Sequence, residues 1–157
     1  MKSGNSLDNQ NIVRIRNCIH PNCIICGLEN YKGMKINYTI TNNNEISTEI
    51  YCDQLYEGYS GMMHGGIISA VLDGAMTNCL FARGKIAVTV EMTIKYKLPV
   101  EINMPATVNA RILQNSGPLY YLESEIIQNG KVKACAKGKF FNQPQLQKTT
   151  ENMELKL

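Results

Sequence analysis

A chain of 157 residues suits a single domain and can bury enough surface to fold without disulfide or metal staples. Its net charge of +3 leaves no electrostatic footprint of nucleic-acid or anionic-membrane binding. No uninterrupted apolar run approaches about 18 residues, so no membrane-spanning helix is expected.

The opening stretch, MKSGNSLDNQ, is polar and lacks the apolar core of a secretory signal. The expectation is a cytoplasmic chain whose six cysteines are reduced thiols. The glycosylation spelling at Asn37-Tyr38-Thr39 then carries no meaning. One domain is expected over 1–157, with residues 1–11 and 143–157 as loose polar tails. Residues 153–157 also fit a short helix. Cys18, His20, Cys23 and Cys26 fall within nine residues, and a Cys₃His zinc site is conceivable on that spacing. Structural zinc sites usually draw ligands from two separated segments, however, and no second cluster follows. No metal and no cofactor are assigned. Cys52, Cys79 and Cys135 read as small core residues.

Strand-like alternation begins at Met34, Ile36, Tyr38 and Ile40. After a polar turn over 41–45 it resumes at Ile46, Thr48, Ile50 and Cys52. A long loop leads to the only helical pattern, 66–83. There Ile67, Ile68, Val71, Leu72, Ala75, Met76, Cys79 and Leu80 recur in pairs four apart, and Gly84 is placed to cap the end. The wide apolar stripe predicts a buried helix. Next come Val88, Val90, Met92, Ile94, Tyr96 and Leu98, predicted to face one way. Thr89, Glu91, Thr93, Lys95 and Lys97 should face the other, and Pro99 ends the strand. Two further strands are expected at about 106–114 and 119–128. Asn129-Gly130 signals a hairpin. The last strand, 131–141, should expose Lys131, Lys133, Lys137 and Lys139 and turn Val132, Ala134, Ala136 and Phe140 inward. The fold class is α+β: a curved antiparallel sheet of five to six strands wrapped around one long helix.

That helix carries Ser69, Asp73 and Thr77 at intervals of four, a narrow polar line beside the apolar stripe. A buried carboxylate is costly unless it is paired or borders a cavity. Asp73 is therefore either satisfied locally or functional, and the pattern alone leaves both open. Just before the helix stands EGYSGMMHGG, from Glu57 to Gly66. Gly65 and Gly66 permit close backbone approach. The first-turn amides lie at the positive end of the helix dipole, a suitable place for charge developing on a carbonyl oxygen. A plain glycine-rich helix entry with an incidental His64 is the other reading.

The stretch HGGIISAVLD, His64 to Asp73, resembles the HGG…D signature of the PaaI-like hotdog thioesterases. TVEMTIKYKLPV, from Thr89, is similar to the strand that follows the helix in that family, and CIICGLENYKGM, from Cys23, to the opening of one of its branches. The resemblance spans roughly residues 23–141. It implies a hotdog fold and an acyl-CoA thioester hydrolase that needs no metal. The Gly66 amide, with Gly65 beside it, would polarise the thioester carbonyl. Asp73 would act as nucleophile or as general base on water, His64 would orient the thioester, and Thr89 would position water. Two departures stand out. Where many relatives carry an Asn or Gln in the loop, this chain has Glu57, Gly58, Tyr59 and Ser60. Where some carry an acid after the carboxylate, it has Gly74. Tyr59 and Met63, with Met62, Ile68 and Met76, are candidates for an acyl pocket, although core packing explains the methionines equally well. Ser69 and Thr77 are candidate substrate contacts.

Gly66 and Asp73 are seven residues apart, about 10 Å along one helix. A thioester carbon needs donor and attacking group each within about 3 Å. Two antiparallel helices across a two-fold axis satisfy this, so the expected partners are acyl-CoA and a second copy of the chain, as a homodimer or a dimer of dimers (homotetramer). The alternative function is an acyl-CoA binding or sensing module without turnover. A hotdog dehydratase would need a different His and acid arrangement.

Overall fold

The computed structural model describes residues 8–42 and 44–154. Six strands and three α-helices follow in the order α1 (Asn9–Ile19), β1 (Thr39–Asn42), β2 (Glu45–Tyr51), α2 (Gly65–Ala82), β3 (Ala87–Tyr96), β4 (Pro105–Ser116), β5 (Leu119–Gln128), β6 (Lys131–Asn142) and α3 (Pro144–Glu154). The strands form one antiparallel sheet in the order β1-β2-β4-β5-β6-β3. Helix α2 lies against its concave face, with Val71, Leu72, Ala75, Met76, Cys79 and Leu80 fully buried. Val108, Ala110, Leu122, Ile126, Ala134 and Phe140 meet them from the sheet. This is the α+β arrangement that the strand and helix periodicities predict.

By length and a mean hydropathy of 1.3, α2 would also pass for a bilayer-spanning helix, which qualifies the sequence expectation; here 61% of it is buried inside the fold. Asn129 and Gly130 both adopt positive φ (53° and 70°), giving the tight β5–β6 hairpin expected of that dipeptide.

Four local expectations are corrected. The first concerns the ends. Residues 9–11 belong to α1 and 144–154 to α3, so neither stretch is loose; residues 1–7 and 155–157 lie outside the described residues. Asp8 caps α1 by accepting from the Gln10 amide at 2.9 Å. Ile12, Ile15 and Ile19 form the apolar stripe, and Ile15 packs with Phe81 and Ile86. Pro144 opens α3, where its missing N–H costs nothing.

Second, 34–38 is not a strand. Ile36 and Tyr38 are buried as the alternation implies, but the Met34 and Ile36 amides donate to Ile24 and Ile25 of the cysteine loop, and Lys35 takes a positive φ of 52°. Third, Lys133 is buried, its ammonium 4.0 Å from Glu101. The β5–β6 register shifts there, opposite Ile126 and Ile127, which reverses the side-chain phase. Fourth, β3 shifts register between Thr89 and Glu91. Thr89 pairs with the buried Phe140, and Met92, Ile94 and Tyr96 pair with Gly138, Ala136 and Ala134 on the same inner face. Thr89 therefore joins the face of Met92, while Val88 and Val90 are left exposed.

Candidate active site

The loop before α2 is held by its own backbone. The Gly58 amide donates to Met62, the Met62 amide to Tyr59, the His64 amide to Tyr56 and the Met63 amide to Val100. The Glu57 carboxylate accepts from the Gly61 amide at 2.6 Å, so this acid is engaged within its loop. Gly58 lies against His64: a Cβ there would sit 3.0 Å from the His64 Cα. The loop therefore delivers His64 to the helix start as its N-cap. Its Nδ1 accepts from the Gly66 amide at 2.8 Å, which makes Nδ1 the unprotonated nitrogen and leaves Nε2 to carry the hydrogen. The amide singled out as a carbonyl donor thus already has an acceptor in the isolated chain.

Ser69 lies one turn on. Its hydroxyl lies 2.9 Å from the Gly65 carbonyl and 2.7 Å from the Tyr96 hydroxyl, which is itself 3.1 Å from that carbonyl, so one hydroxyl donates to the carbonyl and the other donates to it or to the first hydroxyl. Tyr96 is the residue that the sequence reading missed as part of this site. Alternation placed it on a strand face, but nothing local showed that the face meets the start of α2.

Asp73 is half-buried, one further turn along the same line, with Thr77 half-buried beyond it. The Thr89 hydroxyl donates to the Asp73 carboxylate at 2.6 Å. Burial pushes the Asp73 carboxyl above its ordinary value. The Thr89 hydrogen bond opposes that rise, Cys23 adds to it and His20 works against it.

A cleft of about 590 Å³ opens beside the helix start, lined in part by Gly58, Tyr59, Met63, His64, Gly65 and Tyr96. Tyr59 stands at 83% exposure, whereas Met63 is buried and closes the cleft from inside. Met62 and Ile68 also line it. Met76 is core, packed beside Gly138. Asp73 and Thr89 are not among the lining residues, so within one chain the carboxylate and the cleft are separate.

On the other side of α2 lies the cysteine loop. Gly74 has no room for a side chain: a Cβ would meet Ile25 Cγ2 at 2.6 Å. This accounts for a glycine at the position where some relatives carry an acid. The loop brings the side chains of His20, Cys23 and Cys26 together. Hydrogen bonds from Cys26 and then His20 hold the Cys23 thiol well below the ordinary thiol range. The Cys26 thiol is pushed up, first by that same hydrogen bond and then by burial. All six cysteines are free.

Residues 60–145, more than half the chain, match the Thioesterase superfamily. Solved structures of the same fold include a thioesterase superfamily protein at 20% identity and a TM-score of 0.70, covering 74% of this chain. This chain spans 61% of that protein's length. The Escherichia coli PaaI protein from the phenylacetic acid degradation operon aligns at 18% identity with a TM-score of 0.69, over 85% of this chain and 95% of its own. A Streptococcus mutans protein solved bound to acetyl CoA aligns at 16% identity with a TM-score of 0.64, over 69% and 88%. With its six-stranded antiparallel sheet around α2 and this match, the chain has the hotdog fold and belongs to the thioesterase superfamily.

Proposed function

We propose that this protein hydrolyses acyl-CoA-type thioesters at a site completed by a second copy of the chain. The observation that carries the reading is the Asp73–Thr89 pair: a half-buried carboxylate held by a hydroxyl, two turns beyond a glycine helix start. An ionised carboxylate in a half-buried position is a cost to the fold, and such costs concentrate at functional sites. The acetyl CoA bound by a neighbour of the same fold supports the substrate class. The cleft has the size of a small-molecule pocket, and Lys97 on its wall suits a phosphate of the nucleotide.

In this mechanism the thioester carbonyl enters the cleft and its oxygen replaces His64 Nδ1 as acceptor of the Gly66 amide. The first turn of α2 carries partial positive charge to meet the oxyanion. Asp73 of the partner subunit either attacks the carbonyl carbon or takes a proton from a water that does so, and Thr89 holds the carboxylate in place. CoA leaves as its thiolate and takes up the proton that the water gives; where Asp73 is the nucleophile, the acyl group stays on it as a mixed anhydride until water hydrolyses it and frees the carboxylate. Thioesters are activated acyl donors, so a carboxylate and an oxyanion hole suffice.

The test is Asp73→Asn. Hydrolysis of an acyl-CoA panel should fall by about 10²–10⁴-fold. The fold should gain stability at neutral pH, since the variant removes a disfavoured charge and keeps an acceptor for Thr89. Wild-type-like turnover in Asp73→Asn would refute the role. Acyl-CoA binding by the wild-type chain without hydrolysis would replace the enzyme with a binding or sensing module.

A further inference from the structure

The geometry points to a zinc-class cation site on the face of α2 opposite the cleft, formed by His20, Cys23 and Cys26. The ligand atoms of these three residues all lie within 4.8 Å of one another. A tetrahedral centre with Zn–S of about 2.3 Å and Zn–N of about 2.0–2.1 Å sets sulfur and nitrogen about 3.5–3.6 Å apart. Cys26 Sγ lies 3.9 Å from His20 Nδ1, within a few tenths of an ångström of that separation, and Cys23 lies inside the same 4.8 Å group. Two soft sulfurs and an imidazole select zinc or its substitutes over magnesium or calcium.

The surroundings are those of a ligating loop. The Ile25 amide donates to Cys23 Sγ at 3.4 Å, fixing the sulfur from behind as outer-shell donors do in thiolate sites. The turn after Cys26 closes through the Gly27 amide onto the Cys23 carbonyl at 2.9 Å. It demands glycine, because a Cβ on Gly27 would lie 2.3 Å from the Cys23 nitrogen. In sequence the histidine and cysteines form one short segment. The structure shows that His20 comes from the end of α1 and the two sulfurs from the loop, so the cation would tie helix to loop. Cys18 is outside the cluster.

A second observation points to a ligand. Tyr38 is 3% exposed, and its hydroxyl has no hydrogen-bond partner. Burial pushes that hydroxyl up and the charges of Cys26 and Cys23 push it further, so it lies within electrostatic reach of the cluster. A buried phenol left unpaired is costly, and a cation-bound water would offer it a partner. On the outer side, a recess of about 470 Å³ lined by Ile19, His20, Pro21, Asn22 and Cys23 gives access from solvent. Cys23 and Cys26 bind as thiolates, and the thiol proton still held between them passes to solvent with no change of oxidation state.

The site does not depend on the thioesterase reading, and its test uses no acyl-CoA. The full chain, purified under reducing conditions and stripped with chelator, is reloaded with Zn²⁺ or Co²⁺ and dialysed. One equivalent per chain should be retained, with the cobalt form showing a thiolate-to-metal charge-transfer band. Cys23→Ser and Cys26→Ser should each weaken binding by more than about 100-fold, beyond the 10–100-fold that outer-shell changes cost. Cys18→Ser and Cys135→Ser should bind as wild type. If the ligand variants fail to fold, alkylation of the wild-type chain decides: bound Zn²⁺ must slow modification of Cys23 and Cys26 and leave Cys18 unaffected. No retained metal, a charge-transfer band that survives Cys23→Ser, or a Cys23–Cys26 disulfide in place of metal each overturns the assignment.

Discussion

Thr89 reaches Asp73 only because β3 shifts register immediately after it. The 2.6 Å hydroxyl–carboxylate hydrogen bond joins the edge strand to the buried helix, and it opposes the desolvation that pushes the Asp73 carboxyl up. The sign of its removal follows. Asp73 must be ionised to attack or to accept a proton, so kcat/KM falls as pH drops through its raised value, above the ordinary 3.8. Thr89→Val deletes the contact that favours the ionised form. The acid limb of the pH–rate profile should move to higher pH, because the ionised form loses its hydrogen-bond donor. A limb that stays in place would mean that Thr89 does not hold the reacting carboxylate.

His64 presents two separable nitrogens. Its Nδ1 caps α2 through the Gly66 amide, and its Nε2–H remains as a donor. His64→Ala should cost about 1 kcal/mol of stability by denaturant unfolding, the usual value of a lost N-cap. His64→Asn restores a capping oxygen and should recover most of that loss. It does not restore an imidazole donor, so turnover should remain about 10-fold or more below wild type. Recovery of both stability and rate by Asn would leave His64 a cap and nothing more.

Gly74 tests how tightly the cysteine loop supports α2. Alanine is the better helix former by up to about 1 kcal/mol. Its methyl group would enter Ile25, 2.6 Å from Cγ2, and overpacking costs about 1–3 kcal/mol. Gly74→Ala should therefore be destabilising overall, and Ile25→Ala should be less harmful in the Gly74→Ala background than alone, a coupling that a double-mutant cycle reads directly.

These pairs show what was legible in the sequence. The α2 stripe, the Ser69–Asp73–Thr77 line and the Asn129-Gly130 hairpin are short-range patterns, in which residue spacing alone fixes direction, and they stand as read. The inward turn of Thr89 was not legible, because strict alternation in TVEMTIKY predicts the opposite face and only pairing with β6 imposes the bulge. Lys133 fails for the same reason. Helix α1 escaped notice because its apolar stripe is three isoleucines in a polar stretch, stabilised by docking against α2 rather than by its own composition. The convergence of His20 with Cys23 and Cys26, and of Tyr96 with Ser69, depends on chain reversals that no local pattern records.

The shared site makes the most demanding prediction. Among the described residues strand β3 ends the sheet, and it exposes Val88 and Val90 beside the edge on which a second copy can continue the sheet. Val90→Lys should weaken that association, seen as a shift toward monomer in analytical ultracentrifugation, and hydrolysis should fall with it. Complementation then separates a shared site from a mere dimer. Gly66→Pro deletes the amide hydrogen at the second position of α2, with His64 Nδ1, 3.0 Å from the added Cβ, having to give way, and Asp73→Asn deletes the carboxylate. Each homodimer should be inactive. In a mixed dimer, one site inherits both lesions, while the other combines the intact Gly66 of one chain with the intact Asp73 of its mate. Mixed dimers should therefore recover up to about half of wild-type activity per dimer. If both groups act within a single chain, every site in the mixture carries a lesion, and activity stays at the level of the parents.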